Sequence, residues 1–250
     1  MTKKKKASAG RRNSGQQKKR SLWITLAVLL AALTGLGVCL ALGEQTAPAS
    51  SSVLLGQKTV VIDAGHGGSD GGTLGVNTSV AEAHINLQIA RRLQAVLESS
   101  GTNVIMTRQD EAAVGATKDE DMANRRKIIK ESGQDVTVSI HQNHYSDPAV
   151  KGPQVFYAPG SIKGRQLAEC IQARLNGRLE VTAPRQAMEG NYYIVKSGAA
   201  PAVIVECGFL SNPEEEQLLQ KGAYQIEIVK AITEGLEDYF ALQELPAEGE

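Results

Sequence analysis

The chain contains only four histidines, His66, His84, His141 and His144, and two of them sit where a fold can present them. His66 lies in a glycine-dense loop, Gly65 to Gly75, directly after the apolar run Thr59-Val60-Val61-Ile62-Asp63. His141 closes a second apolar run, Val136 to His141, and His144 follows in the next loop. Glu82 opens a segment with apolar residues at Ile85, Ile89, Leu93 and Leu97, which is helical spacing. Glu206 closes the otherwise apolar run Ala202-Val203-Ile204-Val205, where a carboxylate needs a partner or a task. Two imidazoles and one carboxylate can hold a zinc ion and leave a position open for water. A second carboxylate can then move the water's proton to a leaving amine. Taken alone, these residues point to a mononuclear metal hydrolase, and each also has a plainer reading. A loop histidine is commonly solvated, and a carboxylate in the first turn of a helix already complements the helix dipole.

The elements that must position these residues alternate. The patterning predicts strands over 59–63, 102–107, 136–141, 154–157, 192–195 and 202–206. Helices are expected over 82–97, about 122–131, 162–179 and 224 to about 240. Between them, Asn212 caps a further helix with Pro213 at its first position. Short apolar strands alternating with helices imply an α/β fold, a three-layer domain around a largely parallel sheet of about six strands. Such sheets gather functional groups past the C-terminal ends of their strands, which is where Asp63, His66, His141 and Glu206 fall.

Outside this domain the chain is divided by charge. The 250 residues balance to a formal charge of zero, yet nine of the 27 basic residues lie between Lys3 and Arg20 and no acidic residue precedes Glu44. The remainder carries 18 Lys and Arg against 27 Asp and Glu, a net charge near −9, the wrong sign for a nucleic-acid enzyme. Ser21 to Gly43 is a stretch of 23 uncharged, largely apolar residues. A hydrocarbon core of about 30 Å needs roughly 20 helical residues, so this run is long enough to span. The expected organisation is a basic cytoplasmic head at 1–20, a signal-anchor at 21–43, a linker at 44–57, the catalytic domain at 58–240 and an acidic tail at 241–250. Cleavage after Ala47-Pro48-Ala49, releasing the domain to the wall or spore envelope, is the alternative. Cys170 and Cys207, the only thiols past Cys39, form neither a disulfide framework nor a cysteine zinc pattern.

Four separated motifs then carry a resemblance. They are Val60 through Asp63-Ala64-Gly65-His66-Gly67-Gly68, Glu82-Ala83-His84-Ile85-Asn86-Leu87, Ser139-Ile140-His141-Gln142-Asn143, and Pro201 through Glu206-Cys207-Gly208-Phe209-Leu210-Ser211-Asn212. In order and spacing the chain resembles the zinc-dependent N-acetylmuramoyl-L-alanine amidases of the amidase_3 class over about 58–240, and within them the sporulation and germination branch. The resemblance implies one zinc held by His66, Glu82 and His141, with Glu206 as general base and acid. The substrate it implies is the amide between the lactyl group of N-acetylmuramic acid and L-alanine, in peptidoglycan glycan strands bearing stem peptides. A muramic-acid deacetylase is the downstream partner expected in making spore-cortex lactam. His144 is not the matching histidine. His84, two residues from Glu82, does not share its face, whereas Asn86 does. Arg125 matches an arginine of the family with a structural or substrate role. Ala64 and Cys207 depart from the usual residues without removing a ligand. The rival readings are a zinc peptidase or carboxypeptidase acting on stem peptides, and a non-catalytic wall-binding protein. The first lacks an HExxH arrangement and the second would need a lost ligand.

Overall fold

The computed structural model describes residues 55–179, 181 and 183–245. Six strands form one mixed sheet: β1 (Thr59–Ala64), β2 (Asn103–Met106), β3 (Val136–Asn143), β4 (Gln154–Tyr157), β5 (Met188–Glu189) and β6 (Ala202–Phe209). Their order across the sheet is β2-β1-β3-β6-β4-β5. The pairs β1–β2, β1–β3, β3–β6 and β4–β5 are parallel, and only β4–β6 is antiparallel. Five helices accompany the sheet: α1 (Glu82–Ser99), α2 (Lys118–Glu131), α3 (Ile162–Arg178), α4 (Pro213–Leu219) and α5 (Gly222–Glu244). The α/β architecture with a largely parallel six-stranded sheet is the one the patterning predicts.

Strand parity divides the molecule into two layers of core. Successive residues of a strand face opposite sides. Ile62, Val138, Ile140, Val203, Val205 and Cys207 face the larger core, which the apolar stripes of α1, α3 and α5 cover. Cys207 is fully buried there, beside Glu206 in sequence and on the other face of the sheet from it. Val61, Ala202 and Ile204 face a smaller core closed by Ile129 of α2 and by Ile194 and Val195.

Several boundaries differ from expectation. Tyr192 to Val195 is not a strand. The chain makes a 3-10 turn at Ile194–Lys196, and the fifth strand is the two-residue β5. Aromatic and β-branched residues favour strands only where a sheet edge is open to them. Here β5 takes the edge of β4, while Ile194 and Val195 bury their side chains in the smaller core. Helix α2 starts at Lys118 rather than Met122, because the Thr117 side chain caps it by accepting from Glu120 N. His141 and Glu206 are not strand termini: β3 runs on to Asn143 and β6 to Phe209. Helix α5 extends to Glu244. The basic head, the expected membrane span and most of the linker lie outside the described residues. No described helix is long and apolar enough to cross a membrane.

Candidate metal centre

The β3–β6 register pairs His141 with Glu206, and the β1–β3 register pairs Asp63 with Ser139. With alternating faces, this puts Asp63, Ser139, His141 and Glu206 on one side of the sheet. The register slips after His141, where Asn143 pairs with Phe209. The irregularity falls immediately after His141.

Glu82 comes from the start of α1, buried, and is the hub of the cluster. Its Oε1 lies 2.9 Å from His141 Nδ1 and 3.3 Å from His66 Nε2. Oε1 also accepts from Gln142 N at 3.1 Å and from Asn86 Nδ2 at 3.2 Å, while Oε2 accepts from Thr73 N at 2.9 Å. Asn86 thus shares the face of Glu82, one helical turn on. The two imidazoles meet edge to face, with ring centroids 5.0 Å apart. One ligand atom from each of His66, Glu82 and His141 lies within 4.8 Å of the others, a set that can hold a metal ion. Backbone close to these donors must lack a Cβ. A Cβ on Gly65 would stand 2.3 Å from the His141 ring, and one on Gly72 would stand 2.5 Å from Glu82 Oε2. The glycine-dense loop therefore leaves the room the donors use.

His66 itself has a φ of +61°, a left-handed conformation that costs an ordinary residue about 1–2 kcal/mol. Two buried arginines offset this cost by collecting the carbonyls of the turn. Arg125 donates to Ala64 O at 2.7 Å and to His66 O at 2.6 Å. Arg108 donates to Ala64 O at 2.8 Å, Gly65 O at 3.0 Å and Ala83 O at 2.7 Å, joining the turn to the start of α1. Arg125 is in turn paired with Asp63 at 2.8 Å and Asp121 at 2.6 Å. Burial works against a charged Asp63, but the Arg125 guanidinium and the Ser139 and Thr107 hydroxyls outweigh it and hold the carboxyl below its usual range. Arg125 is thus a structural clamp, 1% exposed.

Two contributions were not visible in the sequence. Asp70 lies 3.1 Å from His66 Nδ1, so the ring presents Nε2 to the cluster, an arrangement that fixes the tautomer of a metal-binding histidine. Arg108 was unremarkable among 27 basic residues; its spacing to the carbonyls it holds, 43 and 44 residues in two cases, leaves no local signal. His84 is exposed and pairs with Glu111 at 2.8 Å, and His144 is exposed in the loop after β3; neither joins the cluster.

Electrostatics separates the carboxylates. Although burial penalises its charge, Glu82 is driven well below the carboxylate range by hydrogen bonds and attraction from His141 and His66. His141 is pushed the other way: burial disfavours its cation, but the Glu82 hydrogen bond and the charges of Glu206, Glu82 and Asp63 raise it to about 9. Burial lifts Glu206 to about 7. Among the described residues nothing donates to its buried Oε2. A carboxyl near neutrality, beside a three-donor cluster, can both take and return a proton.

Residues 60–238 match the Amidase_3 family model, described as N-acetylmuramoyl-L-alanine amidase. A germination-specific N-acetylmuramoyl-L-alanine amidase of Bacillus subtilis is 32% identical over 205 residues, covering 79% of this chain and 86% of the relative. The amidase AmiA of Escherichia coli is 27% identical over 229 residues, covering 74% of this chain and 77% of the relative. Among solved structures, the CwlD amidase from Clostridioides difficile, in complex with the GerS lipoprotein, superposes with a TM-score of 0.72. It is 36% identical and covers 74% of this chain and 99% of that one.

Proposed function

Because the chain belongs to the N-acetylmuramoyl-L-alanine amidase family, we propose that it hydrolyses the lactyl–L-alanine amide of peptidoglycan with zinc held by His66, Glu82 and His141 and with Glu206 as the proton shuttle. The observation that carries this reading is the β3–β6 register, which sets Glu206, whose buried Oε2 has no donor among the described residues, beside His141. The donor set fits zinc in number and type, two imidazole nitrogens and one carboxylate, with a cradle that a Cβ would fill. Zinc at these donors supplies Lewis acidity toward the amide carbonyl and lowers the pKa of the attacking water toward about 7.

The chain's own groups do the rest. Glu206 accepts the proton of the attacking water. It then delivers the proton to the alanine nitrogen as the C–N bond breaks, leaving a lactyl carboxylate and a free amine. Asp70 holds the His66 ring, and Asn86 with the Gln142 amide holds Glu82.

Glu206→Gln tests this. It should retain zinc and fold, and kcat should fall by about 10²–10⁴, as for loss of a general base, or roughly 3–5 kcal/mol of barrier. The measurement is release of L-alanine-terminated stem peptides beside elemental zinc. Near-parental turnover at normal zinc content removes Glu206 from the mechanism.

The germination-specific and CwlD relatives support a role on spore-cortex peptidoglycan. Stem removal frees the lactyl carboxylate that lactam closure needs, so a muramic-acid deacetylase that frees the amine is the expected downstream partner. The complex of CwlD with a lipoprotein supports a protein partner for this chain as well. The basic residues before the apolar run at 21–43 support a single-pass anchor with the amidase outside, cleavage and release to the wall being the second reading. Protease added to intact protoplasts should remove the domain; its full protection contradicts an extracytoplasmic position.

A further inference from the structure

The mechanism uses one wall of the cavity that opens beside the cluster, formed by His66 and His141. The same cavity is lined by Tyr192 and Tyr193, residues that are 42% and 44% exposed. Both rings are braced by contacts within the domain. Tyr192 meets Phe156 edge to face at 5.3 Å and packs against Gly190, where a Cβ would stand 2.4 Å from the ring. The Arg126 guanidinium sits 5.1 Å from the Tyr193 ring centroid, and its Nη1 donates to the Tyr193 hydroxyl at 3.3 Å. The turn that carries them is tied by Lys196 Nζ to Asn191 Oδ1 at 2.6 Å and by Ser197 Oγ to Tyr193 O at 3.0 Å. Rings exposed yet fixed lose little conformational entropy when a ligand covers them.

We propose that Tyr192 and Tyr193 form an aromatic platform that holds an N-acetylated sugar ring of the glycan strand beside the catalytic cluster. This rests on the amidase reading and assigns the two sides of its substrate. Besides the histidines, the charged residues lining the cavity are three carboxylates, Asp63, Asp70 and Asp121, against two cations, Lys118 and Arg125. Both cations are already paired, Lys118 with Asp70 at 3.4 Å and Arg125 with Asp63 and Asp121. The three carboxylates are paired in turn, so the lining is close to charge-balanced and suits a neutral sugar better than the charged ends of a stem peptide. The C–H face of a pyranose is apolar and suits an aromatic ring, and Ala113, Ala116 and Met122 provide apolar surface for an acetyl methyl. The stem peptide then leaves on the other side of the cluster.

The test titrates the zinc-loaded protein, its tyrosine rings isotope-labelled, with a peptide-free N-acetylglucosamine tetramer and separately with a free stem tripeptide. The Tyr192 and Tyr193 ring resonances should shift with the tetramer and stay in place with the tripeptide. Tyr192→Ala/Tyr193→Ala should weaken tetramer binding by about tenfold or more and raise KM for glycan-borne substrate, while the paired Tyr→Phe variant binds as the parent does. Ring resonances unmoved by the tetramer, or shifted by the tripeptide instead, overturn the proposal; so does undiminished tetramer binding in a folded alanine variant. The ring shifts are read on the parent and do not depend on how the variants fold. If the parent releases no L-alanine-terminated peptide yet its rings still respond to the tetramer, the amidase reading falls and the platform stands.

Discussion

Replacing Arg125 with methionine should unfold the site before it unfolds the domain. Arg125 is 1% exposed and has five donor contacts: two to Asp121, one to Asp63, and one each to the carbonyls of Ala64 and His66. Not all of these partners are orphaned in the variant. Asp63 keeps Thr107 at 2.7 Å and Ser139 at 2.6 Å, Ala64 O keeps Arg108, and Asp121 keeps the amide of Val114. What is lost outright is charge compensation for a buried Asp63 and the clamp on the His66 carbonyl. Removing one member of a buried pair costs about 3–5 kcal/mol, and the surviving hydrogen bonds place this case near 3. For a domain of this size that is a fall in Tm of roughly 6–12 °C. Adding Asp63→Asn removes the stranded charge and should recover part of the loss, a coupling read from a double-mutant cycle. Zinc affinity should fall as well and should not recover in the double variant, because the His66 turn stays unclamped. Thermal denaturation with and without zinc, together with chelator competition, measures both. A Tm within about 2 °C of the parent, with unchanged zinc affinity, refutes the clamp.

Two further predictions concern the metal. His141→Ala should lose zinc and His144→Ala should keep it at one per chain; Asp70→Asn should keep the stoichiometry but weaken affinity about 10–100-fold, as removal of a histidine's orienting carboxylate does elsewhere. The pH dependence should separate stability from metal binding. His141, raised to about 9, and Glu206, raised to about 7, each favour the protonated folded state. Their contributions are fully present below the unfolded values, near 6.5 and 4.5, and fade as pH rises through about 9 and about 7. Zinc must displace the His141 proton, so the rise in Tm on adding zinc should grow between about pH 6 and pH 9, with proton release visible by calorimetry in buffers of different ionisation enthalpy. A zinc effect that is flat or shrinking over that range contradicts it.

Much of this molecule is decided by interactions between residues a few positions apart, and those are legible in the chain. The apolar spacing of Ile85, Ile89, Leu93 and Leu97 is a helix because one face must be buried. Val60 to Ile62 and Val203 to Val205 are strands because the sheet is covered on both sides. The same patterns mark His66 in a glycine-dense loop, Glu82 at a helix start and His141 and Glu206 at the ends of apolar runs, while their roles as ligands and base came only from the resemblance that the four motifs carry. Tertiary structure decided what depends on distant partners. The register that sets His141 beside Glu206 brings together residues 65 positions apart. Arg108 and Arg125 carry a charge that local pattern assigns to solvent, and only carbonyls and carboxylates gathered from other elements make their burial tolerable. Asp70 could be assigned to His66 only once the left-handed turn folded it back. The run at Tyr192 to Val195 has the composition of a strand, yet became a turn because the sheet edge was taken and the smaller core had room for its two aliphatic side chains. Local preference selects among conformations that differ by about 1 kcal/mol. Burial of an Ile or Val side chain is worth about 1.5–3 kcal/mol, and where the two conflict, burial prevails.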